Sequence, residues 1–167
     1  MTACWLISSA SLATPGSSET AKAISTEILE GRRLLQKSQF FGSGAKGALE
    51  ELFSVSEDCC APNWDGYGAE PMSHESFVQA YRFLEALPLE MQPSSVVAEP
   101  DGHIALEWYK SPQRILSVSI TPNGDLHYAA INGRSKTHGT EDFLGDVPEV
   151  IIGLINRVKQ AQILSAT

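Results

Sequence analysis

Apolar residues recur at helical spacing in the first half of the chain, switch to every second position in its middle, and return to helical spacing near its end. Between Glu19 and Lys37, Ile24, Ile28, Leu29 and Leu35 share one helical face, with Gly31-Arg32-Arg33 weakening its middle. After the break at Phe40-Phe41-Gly42-Ser43-Gly44, the stretch Ala45 to Asp58 places Leu49, Leu52 and Phe53 at i, i+3 and i+4, an amphipathic stripe. This second helix is expected to end near Cys60-Ala61-Pro62, because proline disfavours helical geometry in the residue before it. Ser73 to Leu87 carries the clearest helical pattern: Ser73 suits an N-cap, Glu75 suits the positive helix start, and Phe77, Ala80, Tyr81 and Leu84 repeat on one face until Pro88 stops it. From there the period is two: Val97 and Glu99, then Ile104, Leu106 and Trp108, then Leu116, Val118 and Ile120, then Leu126, Tyr128 and Ala130. Asp146 and Pro148 mark a helix start, and Val150, Ile151, Leu154, Ile155 and Val158 continue it to about Leu164.

The four strands are joined by Asp101-Gly102, Ser111-Pro112-Gln113 and Asn123-Gly124, connections too short for anything but antiparallel hairpins. Asn132-Gly133 turns into a fifth, edge strand over Arg134 to Thr140, whose Arg134 and Lys136 discourage sheet-to-sheet aggregation. The fold class expected is α+β: a four- to five-stranded antiparallel meander over about 94–140, packed against helices at about 73–87 and 148–164, with one or two N-terminal helices. Residues 8 to 20, rich in Ser, Thr, Gly and Ala, read as part of a flexible leader over 1–20, leaving a single domain over 21–167. One sheet face packs on the helices. The other mixes Glu107, Ser117, Ser119 and His127 with Ala105, Tyr109, Ile115 and Ile131, so a second layer or another subunit would account for its apolar members.

Composition narrows the class. The 167 residues are 43% hydrophobic with a formal net charge of −8, which excludes collagenous, disordered and membrane-spanning chains. The charge is unevenly placed. From Trp64 to Tyr109 there are the acids Asp65, Glu70, Glu75, Glu85, Glu90, Glu99, Asp101 and Glu107 against Arg82 alone, whereas Lys110, Arg114, Arg134 and Lys136 face only Asp125 up to His138. If the two stretches occupy different faces the molecule is dipolar. An acidic chain lacks the excess of Lys and Arg that drives phosphate binding, so no direct contact with nucleic acid is expected. Cys4, Cys59 and Cys60 form neither a disulfide framework nor a zinc knuckle, which fits a reducing, cytoplasmic compartment. The apolar start at Trp5-Leu6-Ile7 has no preceding Lys or Arg, so it does not read as a secretion signal.

Asn63-Trp64-Asp65-Gly66-Tyr67-Gly68-Ala69-Glu70-Pro71 concentrates two aromatics, two acids, two glycines and a proline in nine residues. The economical account is a compact turn, with glycines supplying positive φ and Asn63 and Asp65 bonding nearby backbone. The functional account is an aromatic contact, Trp64 and Tyr67, flanked by Asp65 and Glu70, side chains of the kind that dominate interface hot spots. The string NWDGYGAEP, a helix ending in FLEALP, and EPDGHIALEW followed by ILSVSITPNGDLHYAAI together resemble a widespread group of small uncharacterised bacterial proteins built around an N-W-D-G-Y-G-A motif. The resemblance spans roughly Glu50 to Val158. It implies a soluble bacterial protein in which Asn63 to Ala69 matter, with defence, counter-defence or toxin-partner roles suggested by the group's presence in mobile DNA. It implies no catalytic residue.

Catalytic patterns fare poorly. Asp101, Glu107 and Lys110 mimic a PD-(D/E)xK nuclease, but Glu107 and Lys110 fall on opposite faces of a strand. His103, Glu107 and His127 could be assembled as a metal site, yet no H-x-x-x-H or E-x-x-H spacing supports it, and no metal or cofactor is expected. There is no G-x-S-x-G elbow, and Gly42 to Gly47 is too short for a phosphate loop. Glu57 and Asp58 disfavour a reactive thiolate at Cys59-Cys60. The expectation is therefore a non-enzymatic protein-binding module: an inhibitor, antitoxin-like protein or complex subunit of a bacterial or phage accessory system. Its partner is another protein with a basic surface, met through Trp64, Asp65, Tyr67, Glu70, Glu99 and Asp101. The alternatives are a small hydrolase or nuclease using Asp65, Glu107 and His127 between the loop and the sheet, and a homo-oligomeric structural protein, a homodimer among them, joined through the mixed sheet face.

Overall fold

The computed structural model describes residues 43–160. The leader, the helix expected between Glu19 and Lys37, and the expected helix end at Leu164 lie outside those residues. Helix α1 runs Ser43–Asp58, α2 His74–Ala86 and α3 Glu149–Lys159. Between α2 and α3 come a short 3-10 turn at Leu89–Met91 and the strands β1 Ser95–Ala98, β2 Ile104–Ser111, β3 Arg114–Ile120, β4 Asp125–Asn132 and β5 Ser135–Asp142. The five strands form one sheet in chain order, each pair antiparallel. This is the α+β meander that the alternation predicts.

Local chemistry sets the helix ends. The Ser73 hydroxyl accepts from the Ser76 N–H at 3.0 Å, satisfying one of the orphan donors at the start of α2. At its far end the Leu87 N–H bonds the Phe83 carbonyl, and Pro88 prevents another turn. The start of α3 differs from expectation. Pro148, not Asp146, occupies the cap position, and no side chain caps the helix; the Pro148 carbonyl itself accepts from Ile151 and Ile152. Proline's fixed φ pre-organises that first turn without help from a carboxylate.

All three helices lie on one side of the sheet: α1 against β1 and α2, α2 against β2 and β3, and α3 across β2, β3 and β4. Their apolar stripes meet Val96 and Ala98 of β1, Ile104, Leu106 and Trp108 of β2, Leu116, Val118 and Ile120 of β3, and Leu126 and Ala130 of β4 in one buried cluster. Phe53 and Phe77 meet at 5.3 Å between ring centres, tying α1 to α2. Among the described residues, no helix or strand packs on the opposite face. There the register aligns three cross-strand rows: Val97, Ala105, Ser119, His127 and Thr140; then Ser95, Glu107, Ser117, Ala129 and His138; then Tyr109, Ile115, Ile131 and Lys136.

β5 contains no apolar side chain. It is held by its ladder with β4 and by the Tyr128 ring, which lies over Gly139 so closely that a Cβ there would sit 2.5 Å from the tyrosine hydroxyl. An edge strand of this composition offers little to an invading chain.

Because the strands alternate in direction, the register also sorts charge between the two ends of the sheet. The β1–β2 turn brings Glu99 and Asp101 to one end, where Asp125 directly opposes Asp142 and where α3 starts with Glu149. The β2–β3 and β4–β5 turns bring Lys110, Arg114, Arg134 and Lys136 to the other, joined by a hydrogen bond from the Gly133 N–H to the Gln113 carbonyl at 2.7 Å. Helix α3 ends there too: the Arg114 guanidinium donates to the Gln160 carbonyl, and the Lys159 ammonium donates to the carbonyls of Glu90 and Gln92. Burial lowers the Lys159 pKa, partly offset by the nearby Glu90 carboxylate. The ends are about 25 Å apart at ~3.3 Å per residue along an eight-residue strand.

Candidate functional site

The connection from α1 to α2 is built from its own side chains. Asn63 adopts φ 61°, a left-handed conformation that asparagine tolerates, and its side-chain oxygen Oδ1 accepts from the Gly68 N–H at 2.7 Å while its main-chain carbonyl accepts from the Gly66 N–H at 3.0 Å. The Asn63 N–H reaches across to the Ala69 carbonyl at 2.7 Å and closes the loop. The Trp64 indole N–H donates to the Glu70 carbonyl at 2.9 Å, while its ring packs half-buried against the core. One oxygen of Asp65 accepts from the N–H groups of Tyr67 and Ala69, at 2.8 and 3.1 Å. Gly66 and Gly68 take φ values of 78° and 98°, which a side chain would oppose. Ala69 is buried.

Six of the seven residues in N-W-D-G-Y-G-A therefore hold the loop together. Tyr67 does not. Its side chain is 95% exposed, held outward by a loop that its neighbours make rigid.

The loop docks on the β1–β2 turn. The Glu70 N–H donates to the Pro100 carbonyl at 2.8 Å and the Ser73 N–H to the Gly102 carbonyl at 3.1 Å. Gly102, at φ 80°, lets the chains approach: a Cβ there would lie 2.9 Å from the Pro71 carbonyl oxygen. Tyr67 and Glu70 thus share one end of the molecule with Glu99 and Asp101. Of the residues singled out from sequence, Tyr67, Glu70 and Asp101 are exposed and Glu99 is half-exposed, its carboxylate taking a hydrogen bond from the Ser119 hydroxyl. The side chains of Trp64 and Asp65 are committed inside the loop, so these two shape the site rather than present it.

Backbone hydrogen bonds, first from Tyr67 and then from Ala69, hold the Asp65 carboxyl below the usual aspartate range. A carboxyl lowered on folding stabilises the protein above its unfolded pKa, and that contribution is lost as pH falls through the folded value. The expected result is that Asp65→Asn melts below wild type at pH 7 and that the gap closes as the buffer is taken below pH ~4. Thermal melts across this series measure it; a gap that widens in acid contradicts the assignment.

Glu99, Asp101 and His103 each bring one donor atom within 4.8 Å of the other two. This is the set whose chemistry would suit a divalent cation, and it differs from the His103, Glu107 and His127 grouping considered from sequence. Within the turn, Asp101 already accepts from the His103 N–H at 3.2 Å, and its second oxygen lies 3.1 Å from His103 Nδ1. His103 was not among the candidate binding residues, and its spacing two after Asp101 in a hairpin is the signal that could have found it.

The structure does not bring Asp65, Glu107 and His127 together. Glu107 and His127 lie in different rows and two strands apart on the open face, with His127 Nδ1 2.9 Å from the Thr140 hydroxyl. A cavity of about 540 Å³ lies elsewhere, between α2 and the β5–α3 connection, lined by Gln79, Arg82, Glu85, Phe143 and Leu144. Cys59 is a buried thiol raised above its usual pKa by burial and by the Asp58 charge, so it is a poor nucleophile. Comparison with protein families, with curated proteins and with solved structures finds no match. No helix among the described residues is long and apolar enough to cross a membrane.

Proposed function

We propose that this chain is a non-enzymatic protein-binding module, an inhibitor, antitoxin-like protein or complex subunit of a bacterial or phage accessory system acting in the cytoplasm, and that it engages a basic partner surface with its acidic end. The observation that carries this reading is Tyr67. A large aromatic displayed at 95% exposure has no folding role to explain it, and rigid aromatics at the centre of a polar rim are the usual anchors of protein interfaces. Glu70, Asp101 and Glu99 on the same end supply the rim and a field that speeds encounter with cationic surfaces. The charge pattern and the resemblance of residues 63–69 to the N-W-D-G-Y-G-A group support the same reading.

Affinity purification from the native host, at low and high salt, with native mass measurement of what co-elutes, identifies the partner. With that partner in hand, Tyr67→Ala is expected to keep the wild-type melting temperature and to weaken binding by about thirty-fold, the loss of a hot spot. Glu70→Gln with Asp101→Asn is expected to slow association and to reduce its salt dependence. Wild-type affinity in Tyr67→Ala rejects the proposed contact.

A further inference from the structure

The end opposite the proposed protein-binding site has a different chemistry. The last row of the open face runs Tyr109, Ile115, Ile131 and Lys136 across β2, β3, β4 and β5. Tyr109 is 55% exposed, the two isoleucines are partly exposed, and Lys136 closes the row. Beside it stands Arg134 in the β4–β5 turn; Lys110 lies in the β2–β3 turn region at the same end of the sheet, and Arg157, near the end of α3, lies at that end on the helix side, all three exposed. Arg114 and Lys159 carry charge at the same end on the helix side, where both bond backbone carbonyls. The facing groups are few: Glu107 and His138 lie in the next row inward, and Glu90 lies beside Lys159.

From sequence, net charge argues against nucleic acid, but net charge averages two ends that do not act together. Separated by about 25 Å, they are screened from each other by physiological salt, whose Debye length is about 8 Å. A ligand at the β2–β3 turn therefore meets a cationic surface.

The geometry points to this end as a binding surface for single-stranded nucleic acid. An exposed aromatic ring gives a base a face to stack on, the isoleucines extend that face along the row, Lys136 and Arg134 at its β5 end meet the phosphate backbone, and the remaining lysines and arginines at this end of the sheet add to the attracting field. An acidic protein segment would use the same cations but has no use for the stacking face, which is why the single strand is favoured.

Fluorescence anisotropy of the full chain with labelled oligo-dT and oligo-U of about 15 nucleotides tests this. Binding at 50 mM salt is expected to fall about 20- to 50-fold by 200 mM, the consequence of releasing counterions from three to four phosphates. Tyr109→Ala is expected to weaken binding about tenfold with the salt slope unchanged, because stacking releases no counterion. The pair Arg134→Ala and Lys136→Ala is expected to flatten the slope by about 1.4, two phosphates' worth. These side chains are exposed, so the variants are expected to fold, and circular dichroism checks it.

No binding at 50 mM salt overturns the inference. So does equal binding of a duplex or of polyglutamate that ignores Tyr109→Ala, or salt-sensitive self-association without oligonucleotide binding. Tyr67→Ala should leave oligonucleotide affinity unchanged, so this surface and the proposed protein site stand or fall separately.

Discussion

Replacing Trp108 with alanine is expected to remove about 3–5 kcal/mol of stability, enough to unfold much of a protein whose total is of the order of 5–15 kcal/mol. The indole is 1% exposed in the middle of β2, opposite Leu116 and beneath α3, so truncation leaves a cavity bounded by strand and helix that cannot collapse freely. Its Nε1–H also donates to the Met91 carbonyl at 2.7 Å, pinning the 3-10 turn to the sheet. Losing that donor leaves a partly buried carbonyl without its partner, a further cost of about 1–3 kcal/mol if water cannot replace it. Trp108→Phe separates the two contributions by keeping most of the ring volume and removing only the N–H. Urea unfolding followed by far-ultraviolet circular dichroism gives both numbers. A midpoint for Trp108→Ala close to wild type would mean that the core does not depend on this contact between β2 and the segment before β1.

The second large effect is expected at Gly102. A left-handed φ costs a residue with a side chain about 1–2 kcal/mol, and at Gly102 the new Cβ would also meet the Pro71 carbonyl oxygen at 2.9 Å. That oxygen belongs to backbone held on both sides by the bonds from Glu70 and Ser73 to the turn, so it can yield only by undocking the loop. Gly133 supplies the control: its φ is 64°, but nothing lies within 4 Å of a Cβ there. Gly133→Ala should show the conformational cost alone, and Gly102→Ala that cost plus about 1–2 kcal/mol of displacement. Thermal or urea melts of the two variants give the difference. Equal losses would show that the loop rests on the turn without being held by it. If the proposed partner site is right, Gly102→Ala also weakens partner binding, since it moves the platform that aims Tyr67.

Much of this architecture was legible in the order of residues. The period-two runs from Ile104 to Ala130 name three strands and their buried face, whereas at β1 the pair Val97 and Glu99 picks the open side, since Val96 and Ala98 are the buried residues; the short turn-rich connections leave a meander as the solution. The stripe of Phe77, Ala80, Tyr81 and Leu84 marks α2. Asp146 and Pro148 mark the start of α3, but which of the two takes the cap position is decided by geometry, and it is Pro148. For the candidate site, the motif drew attention to this loop but could not say which aromatic faces outward. Trp64 and Tyr67 have similar local settings in sequence, and only the bond from Trp64 to Glu70 and its packing on the core distinguish them. The contact of Gly102 with Pro71 spans some thirty residues and leaves no local trace. Charge placement was half visible: the bases Lys110, Arg114, Arg134 and Lys136 dominate one stretch of sequence, but their gathering at one end, away from Asp125, follows from register. The acidic stretch splits, with Glu70, Glu99 and Asp101 on the far end and Glu90 beside Lys159.

The composition of β5 carries a consequence for the order in which this sheet is assembled and taken apart. Burial of apolar surface drives the first four strands and the helices together, but Ser135–Asp142 adds none. Its place depends on ladder hydrogen bonds, on the Tyr128 ring across Gly139, and on a hairpin turn that keeps it near β4 in the sequence. Closing a local hairpin costs little chain entropy, so β5 can be added after the core has condensed and lost again without disturbing it. The sheet therefore behaves as a four-stranded core with a reversible hem, and opening the hem uncovers the hydrogen-bonding edge of β4 while the hydrophobic interior stays closed.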